Sequence, residues 1–452
     1  MTFPAQKFYH KFCGLPIILL VLLPFLQLQA NTEAGTENET VKVLSLEECI
    51  SLAVSSNPAF LSSAYTVEES RLKTIEARSS FYPSVNLNAG ADVYTYRQDE
   101  ERGKSGAYSQ YNAGITAQYY FYQGGKKIAV YDAAESAFQA ASYQHEGGFQ
   151  DLVLNVSQAY YRFLQSLHME KAALQALDRA EYYLEFAQAR FEAGVVSRSD
   201  ILKAEVERSN AELSLIRARN NRLFASGMLN VFLGRDVHLP IQVRDDLEKS
   251  EQKGSLEFEP LLSRALENRP EAKKMEAQIA AQESDIRIAR SNFYPWISAD
   301  TGVNLSGLST SGTRGGWFAG ISLSLPVFTG FANQARTAQE KTALSALEKQ
   351  RLTLEHEIGQ EVWNAYLDLK ESEERIDNTA VLLVSARENL AIAEEEYREG
   401  IGSMIEVIDA ETALVAAEES QIEAFADFKI ALAVIDRVVG ISKYTADQGD
   451  KK

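Results

Sequence analysis

The stretch ARSSFYPSVNL at residues 77–87 returns as ARSNFYPWISA at residues 289–299, 212 positions later, with Ala-Arg-Ser and Phe-Tyr-Pro kept. At the same offset Asn57-Pro58 falls on Arg269-Pro270. At an offset of 206, Ala113-Gly114-Ile115 falls on Ala319-Gly320-Ile321, Gly124 on Gly330, Ala159-Tyr160 on Ala365-Tyr366, Gly194 on Gly400 and Gly234 on Gly440. The six-residue difference lies between Pro83 and Ala113, within one loop. The chain is therefore two copies of one unit, far longer than a solenoid repeat.

Each copy runs in the same order. A helix with a capping-like start (Ser45 in copy one, around Pro260 in copy two) leads to the repeated phrase, where Pro83 or Pro295 stops it and admits extended chain. Segments of period two follow. Val85, Leu87, Ala89, Ala91 and Val93 alternate with small polar residues, and so do Ala113, Ile115, Ala117, Tyr119 and Phe121. Copy two repeats this with Ile297, Ala299, Val303 and Leu305, then Ala319, Ile321, Leu323 and Leu325. Four strands are expected, each with one apolar and one polar face. Beyond each hairpin the chain is free of proline for a long way, from Pro83 to Pro240 and everywhere after Pro326. Leu369, Ile376, Leu383, Leu390 and Tyr397 recur every seven residues, answered in copy one by Phe163, Leu177, Leu184 and Phe191. That spacing predicts helices wound in a left-handed supercoil, each rod roughly 100 Å long. Returning helices are expected over 197–233 and 403–439.

The resulting division is an export signal at 1–30, a first repeat at 31–242 (β-hairpin 84–122, helical hairpin 124–233), a linker at 243–256, a second repeat at 257–440 (β-hairpin 296–328, helical hairpin 331–439) and a polar tail at 441–452. The signal reading rests on Lys7, His10 and Lys11 before an apolar stretch from Leu15 to Leu26, and on a cleavage-like Leu28-Gln29-Ala30. Its loss would leave Cys49 as the one cysteine, so no internal disulfide is expected, and would take the net charge from −18 to about −20. Such acidity argues against nucleic acid as a partner. No cofactor or metal site is expected either. His145, His168, His238 and His356 are scattered, and His356-Glu357 lacks the second histidine of a zinc helix. Gly124-Gly125-Lys126-Lys127 lacks the leading glycine and the Ser/Thr of a phosphate loop and reads as a strand-to-helix turn. The chain does not read as an enzyme.

Four strands cannot close a barrel, for which about eight are needed, and an alternating sheet is equally at home in a soluble domain. Aromatic residues where the hairpins meet the helices favour a membrane wall: Phe81, Tyr82 and Tyr122 in one copy, Phe293, Tyr294, Trp296 and Phe328 in the other. From about Ser45 to Gly440 the chain resembles the TolC family of outer-membrane channels, on the duplicated layout, the Phe-Tyr-Pro phrases, and the turns FEAGVVSRSDIL (191–202) and YREGIGSMIEVI (397–408). The resemblance implies a mainly α fold with a membrane β-barrel portion. Long antiparallel coiled-coil hairpins would form an α-barrel, and four strands per chain would contribute to a twelve-stranded barrel in a homotrimer. It implies an outer-membrane location with the helical tunnel in the periplasm, contact with outer-membrane lipid, and partnership with a periplasmic adaptor and an inner-membrane transporter. The expected role is the exit duct of a tripartite system exporting small toxic molecules. The alternatives are the exit channel of a type I protein secretion system and an exported coiled-coil structural or adaptor protein.

The resemblance also assigns residues. Phe81-Tyr82-Pro83 and Phe293-Tyr294-Pro295 become helix-to-barrel joints. Gly194, Ser197 and Asp200, with Gly400, Gly402 and Ser403, become the periplasmic tip turns. Glu406 and Asp409 fall where acidic residues ring the pore, and their spacing of three puts them on one helix face. Against this, Glu406 can serve simply as the cap of its own helix, and Asp409 as a solvated surface acid. Ser197-x-x-Asp200 and Ser403-x-x-Glu406 both resemble capping boxes. Two departures leave the closing contacts open: Glu stands for Asp at 406, and Gly402 stands where an arginine takes part in them.

Overall fold

The computed structural model describes residues 43–97, 105–248, 257–308 and 312–441. The expected export signal, most of the linker and the tail beyond Ile441 lie outside the described residues.

Copy one runs β1 (Val43–Leu44), α1 (Leu46–Ser56), α2 (Pro58–Ser79), β2 (Ser84–Arg97), β3 (Ser105–Gln123), α3 (Lys126–Glu192) and α4 (Arg198–Phe232). Copy two repeats the order with β4 (Gln242–Val243), α5 (Phe258–Asn268), α6 (Pro270–Ser291), β5 (Trp296–Leu308), β6 (Gly312–Ser324), α7 (Ala332–Glu399) and α8 (Met404–Val438). The short strands β1 and β4 pair in parallel and so tie the start of one copy to the start of the other.

The two Phe-Tyr-Pro phrases end their helices in the same way. Ser80, Phe81 and Tyr82 donate to carbonyls three residues back, and Asn292, Phe293 and Tyr294 do the same. These tightened bonds finish the helix, and the proline that follows has no N–H with which to prolong it. At the other ends the copies differ. Ser45 and Glu48 form a full capping box, with Glu48 N–H donating to Ser45 Oγ at 3.3 Å and Ser45 N–H donating to Glu48 Oε2 at 2.9 Å. The matching start expected near Pro260 lies instead at Phe258, and its N-cap, Glu257, makes no side-chain capping bond. Proline at the third position needs no such cap, because the N–H it lacks would have had no partner within the helix.

α3 and α7 hold 67 and 68 residues, about 100 Å each. α3 packs against α2, α4, α6 and α8, while α7 packs against α5, α6 and α8. Along α7 the seven-residue seam is buried at Leu369, Leu383, Leu390 and Tyr397. Along α3 the expected line holds at Phe163, which is buried, and shifts in phase towards the tip. The buried line is Ala172, Ala176, Ala180, Tyr183 and Ala187, while Phe191 is 42% exposed. From Ala172 towards the tip, the side of α3 that meets its neighbours is mostly alanine, whereas its other half buries large residues such as Tyr160, Phe163 and Leu164.

Where the two copies meet beside the ends of α5 and α8, two arginines are buried and paired with acids that remain accessible. Arg437 of α8 donates to Asp151 of α3 at 2.7 Å and to Glu271 of α6. Arg269 donates to Glu361 at 2.5 Å and to Glu271 at 3.3 Å. Glu271 thus bridges two largely buried guanidiniums, and these hold its carboxyl below the ordinary range although burial pushes the other way.

The four long strands form one antiparallel sheet in the order β2-β3-β5-β6. β3 and β5 join the copies, and β2 and β6 are the edges.

Candidate functional site: a two-faced sheet and a clamped helical tip

The strand register fixes what each face of the sheet presents, because directly opposed residues in a ladder share a face. One row reads Leu87, Ile115, Val303, Trp317, and the next Val85, Ala117, Thr301, Ala319. The rows that flank these two read Ser84, Gln118, Asp300, Gly320 and Asn88, Gly114, Asn304, Gly316. The apolar face is bare: Trp317 is 80% exposed, Ile321 77% and Leu87 76%. An apolar surface of this extent on an antiparallel sheet needs an apolar neighbour, and lipid supplies one. Among the described residues, no helix is long and apolar enough to cross a membrane. The joints follow at the sheet's base, with Phe81, Tyr82, Phe293 and Tyr294 all exposed.

At the far end of the long helices, Gly194 (φ 75°) and Gly400 (φ 80°) take the left-handed conformation that turns the chain back. The two following turns then diverge. In copy two, Glu406 Oε2 accepts from the Ser403 backbone N–H at 2.6 Å and from the Ser403 hydroxyl at 3.0 Å. These bonds hold its carboxyl below the ordinary range. In copy one the capping box expected at Ser197 and Asp200 is not formed. Ser197 makes no side-chain capping bond, and Asp200 Oδ1 turns to Lys203 Nζ at 3.4 Å. A lysine three residues on is a charged donor, and it takes the carboxylate away from the backbone.

Glu406 and Asp409 lie together on the exposed face of α8, whose other side buries Met404, Val407 and Ala410. Gly402 is packed against the end of α7. A Cβ there would stand 3.0 Å from Glu396 Cβ and 3.1 Å from Tyr397 N, so a side chain at 402 would displace the turn.

The polar grip on the tip comes from residues the sequence patterns do not single out. Arg190, near the end of α3, donates to the carbonyl of Tyr397 and, at 3.3 Å, to that of Arg398, capping the end of α7. Its guanidinium also lies 4.9 Å from the Tyr397 ring centroid and 5.7 Å from that of Phe186. Burial pushes the Tyr397 hydroxyl up, Asp200 adds to that shift, and Arg190 opposes it. Tyr183, seven residues back along α3, donates to Glu394 Oε1 of α7 at 2.5 Å. Four residues further back, Arg179 donates to Glu411 Oε1 of α8 at 2.7 Å and to Glu418 Oε2 at 3.4 Å. Spacings of four and seven put all three on one face of α3, so they form a ladder gripping the α7–α8 hairpin. The Glu411 side chain is only 3% exposed, and burial pushes its carboxyl up against the pull of Arg179. One signal for this ladder was in the sequence. Glu411 stands seven residues after Met404, in the seam itself, and a charge in a seam calls for a partner on the facing helix.

Comparison with known proteins agrees with this geometry. A model of the outer membrane efflux protein family matches residues 49–235 and 261–440, one block in each repeat. The chain is 23% identical over 427 residues to the outer membrane protein TolC of Vibrio cholerae, covering 92% of this chain and 95% of that one. It is 25% identical over 409 residues to the outer membrane protein OprJ of Pseudomonas aeruginosa, covering 87% and 84%. In structure it superposes on the outer-membrane channel OprN with a TM-score of 0.77 at 20% identity, over 88% of this chain and 90% of that one. The two-faced sheet is thus the wall of an outer-membrane barrel, the paired rods are its tunnel, and the chain belongs to the outer membrane efflux protein family.

Proposed function

We propose that three copies of this chain close one duct, and that the duct carries small toxic molecules outward with the help of a periplasmic adaptor and an inner-membrane transporter. The observation that carries this reading is the sheet. Four antiparallel strands, apolar on one face and polar on the other, end in two open edges, β2 and β6. Three such sheets joined β6 to β2 give twelve strands, which satisfies the need of each edge for a partner. The apolar faces of α4 and α7, with Leu213, Ile216, Leu223, Val381 and Val384 exposed, call for cover from neighbouring copies in the same way. No chemistry is asked of the chain beyond passage. Efflux rather than secretion is favoured by relatives such as the antibiotic efflux pump outer membrane protein ArpC of Pseudomonas putida, 24% identical over 389 residues.

Two measurements test the proposal. The detergent-purified protein should be a trimer about 140 Å long, from roughly 100 Å of helix and a barrel some 30–40 Å tall. A monodisperse monomer would exclude the shared barrel. A strain lacking the chain should accumulate small amphiphilic toxins and recover on complementation. Unchanged toxin sensitivity together with loss of an exported protein from the medium would replace efflux with protein secretion.

A further inference from the structure

Phe318 breaks the pattern of the sheet. It lies in the row Asn86, Thr116, Gly302, Phe318, on the polar face, halfway along β6. Its same-face neighbours along the strand are Gly316 and Gly320, and its partner across the ladder is Gly302. The end of the ring covers Gly302: a Cβ added to that glycine would stand 2.9 Å from Phe318 Cε1 and 3.0 Å from Cζ. The ring leans towards β5, away from the open edge of β6, so joining another copy at that edge leaves it on the same wall. It is 43% exposed. One row nearer the helices on the same face stands Asp300, opposite Gly320 and roughly 7 Å along the strand.

A ring covering a glycine stabilises a strand wherever it occurs, but that role does not account for the cleared surroundings or the acid one row away. We propose that Phe318 and Asp300 form a transit contact on the lumen wall for organic cations with aromatic or apolar bodies. The face of the ring attracts the cation and covers its apolar body, and the carboxylate supplies the opposite charge. Three copies place three such contacts at mid-height of the barrel. This inference rests on the reading of the polar face as the lumen of a shared barrel.

The test uses the purified full chain in planar lipid bilayers, with tetraphenylphosphonium added on the barrel side. Interruptions of the current by the cation should shorten about two- to fivefold in Phe318→Ser, where the ring is gone. They should shorten in Phe318→Leu as well, which keeps an apolar side chain but has no ring. Asp300→Asn should weaken block by the cation and leave block by a neutral aromatic of similar size unchanged. Unaltered interruptions in both Phe318 variants overturn the proposal, and so does an Asp300→Asn variant that weakens block by cation and neutral probe equally. Gly320→Cys tests the underlying reading separately. No atom lies within 4 Å of where a Cβ at 320 would stand, so the thiol fits. A membrane-impermeant cationic thiol reagent should then lower the conductance. Cys49 will not confuse the result, being buried with its thiol pushed up to about 12. If the Gly320→Cys variant fails to react, the water-filled lumen itself is removed. If it reacts while the Phe318 variants behave like wild type, only the aromatic contact is removed.

Discussion

At the scale of single residues, the carboxylates of this chain divide by what surrounds them. Glu411 is buried with one arginine and leaves Oε2 without a partner, so burial dominates and its carboxyl titrates high. Removing Arg179 would strand that charge. Arg179→Met should therefore lower the thermal midpoint of the detergent-solubilised protein by the equivalent of about 3 kcal/mol, whereas Glu411→Gln should cost about 1 kcal/mol or less. Equal losses in the two variants would show that a stranded charge is not what destabilises the arginine variant. Glu271 is the opposite case, held low by Arg437 and Arg269. A carboxylate whose folded pKa is depressed stabilises the fold above its ordinary value of 4.5, and that contribution disappears as pH falls through the folded pKa. Glu271→Gln should thus lower the midpoint at pH 7, and the gap to wild type should close as the buffer is taken below about pH 4.5. A gap that is constant with pH would assign the loss to packing instead.

At the scale of elements, period was easier to read than phase. The alternation at Val85–Val93 and at Ala319–Leu325 located strands and faces, because a period of two leaves no choice of phase once one face is apolar. The seven-residue spacing of α7 was legible for the same reason, since Leu383, Leu390 and Tyr397 are large. In the half of α3 nearer the tip the large residues misled: alanines fill most of the buried line there, and alanine carries little hydrophobic signal of its own. The tip was legible as two glycine turns, and as two electrically different ones, because Lys203 stands at the position matching Asp409; what was not legible is that Lys203 draws Asp200 off the backbone and that Arg190 acts across 207 positions of sequence. Phe318 was invisible to alternation, which records only that it stands out of pattern. The faces can be tested directly. Arginine in place of Ile115 should cost roughly 2–4 kcal/mol in lipid near the midplane, and less in place of Leu323 at the sheet's base, and both should reduce the yield of assembled protein in membranes. Arginine in place of Gln118 or Ser322 should leave the yield unchanged. Equal defects on the two faces would contradict a wall between lipid and water.

At the scale of the whole molecule, the two turns at the tip are charged differently because the copies are alike in layout and unlike in detail. Three converging tips would bring three Glu406 and three Asp409 around one axis, while the copy-one turns bring Asp200 already tied to Lys203. Carboxylates crowded at a narrow axis repel one another and draw in cations. The duct should pass cations in preference to anions, and millimolar divalent or trivalent cations should block it from the periplasmic side. Glu406 already accepts two hydrogen bonds from Ser403, so part of its charge is spent on the cap, whereas Asp409 lies on the exposed face of α8. Asp409→Ala alone should therefore remove most of the block, and adding Glu406→Ala should remove the rest at some cost in helix stability, because the capping box is lost. Changing Asp200 and Lys203 together should leave selectivity nearly as it was. Bilayer recordings of the trimer decide between the readings, since unchanged selectivity and block in the Glu406→Ala, Asp409→Ala double variant would return both residues to the role of a helix cap and a solvated surface acid.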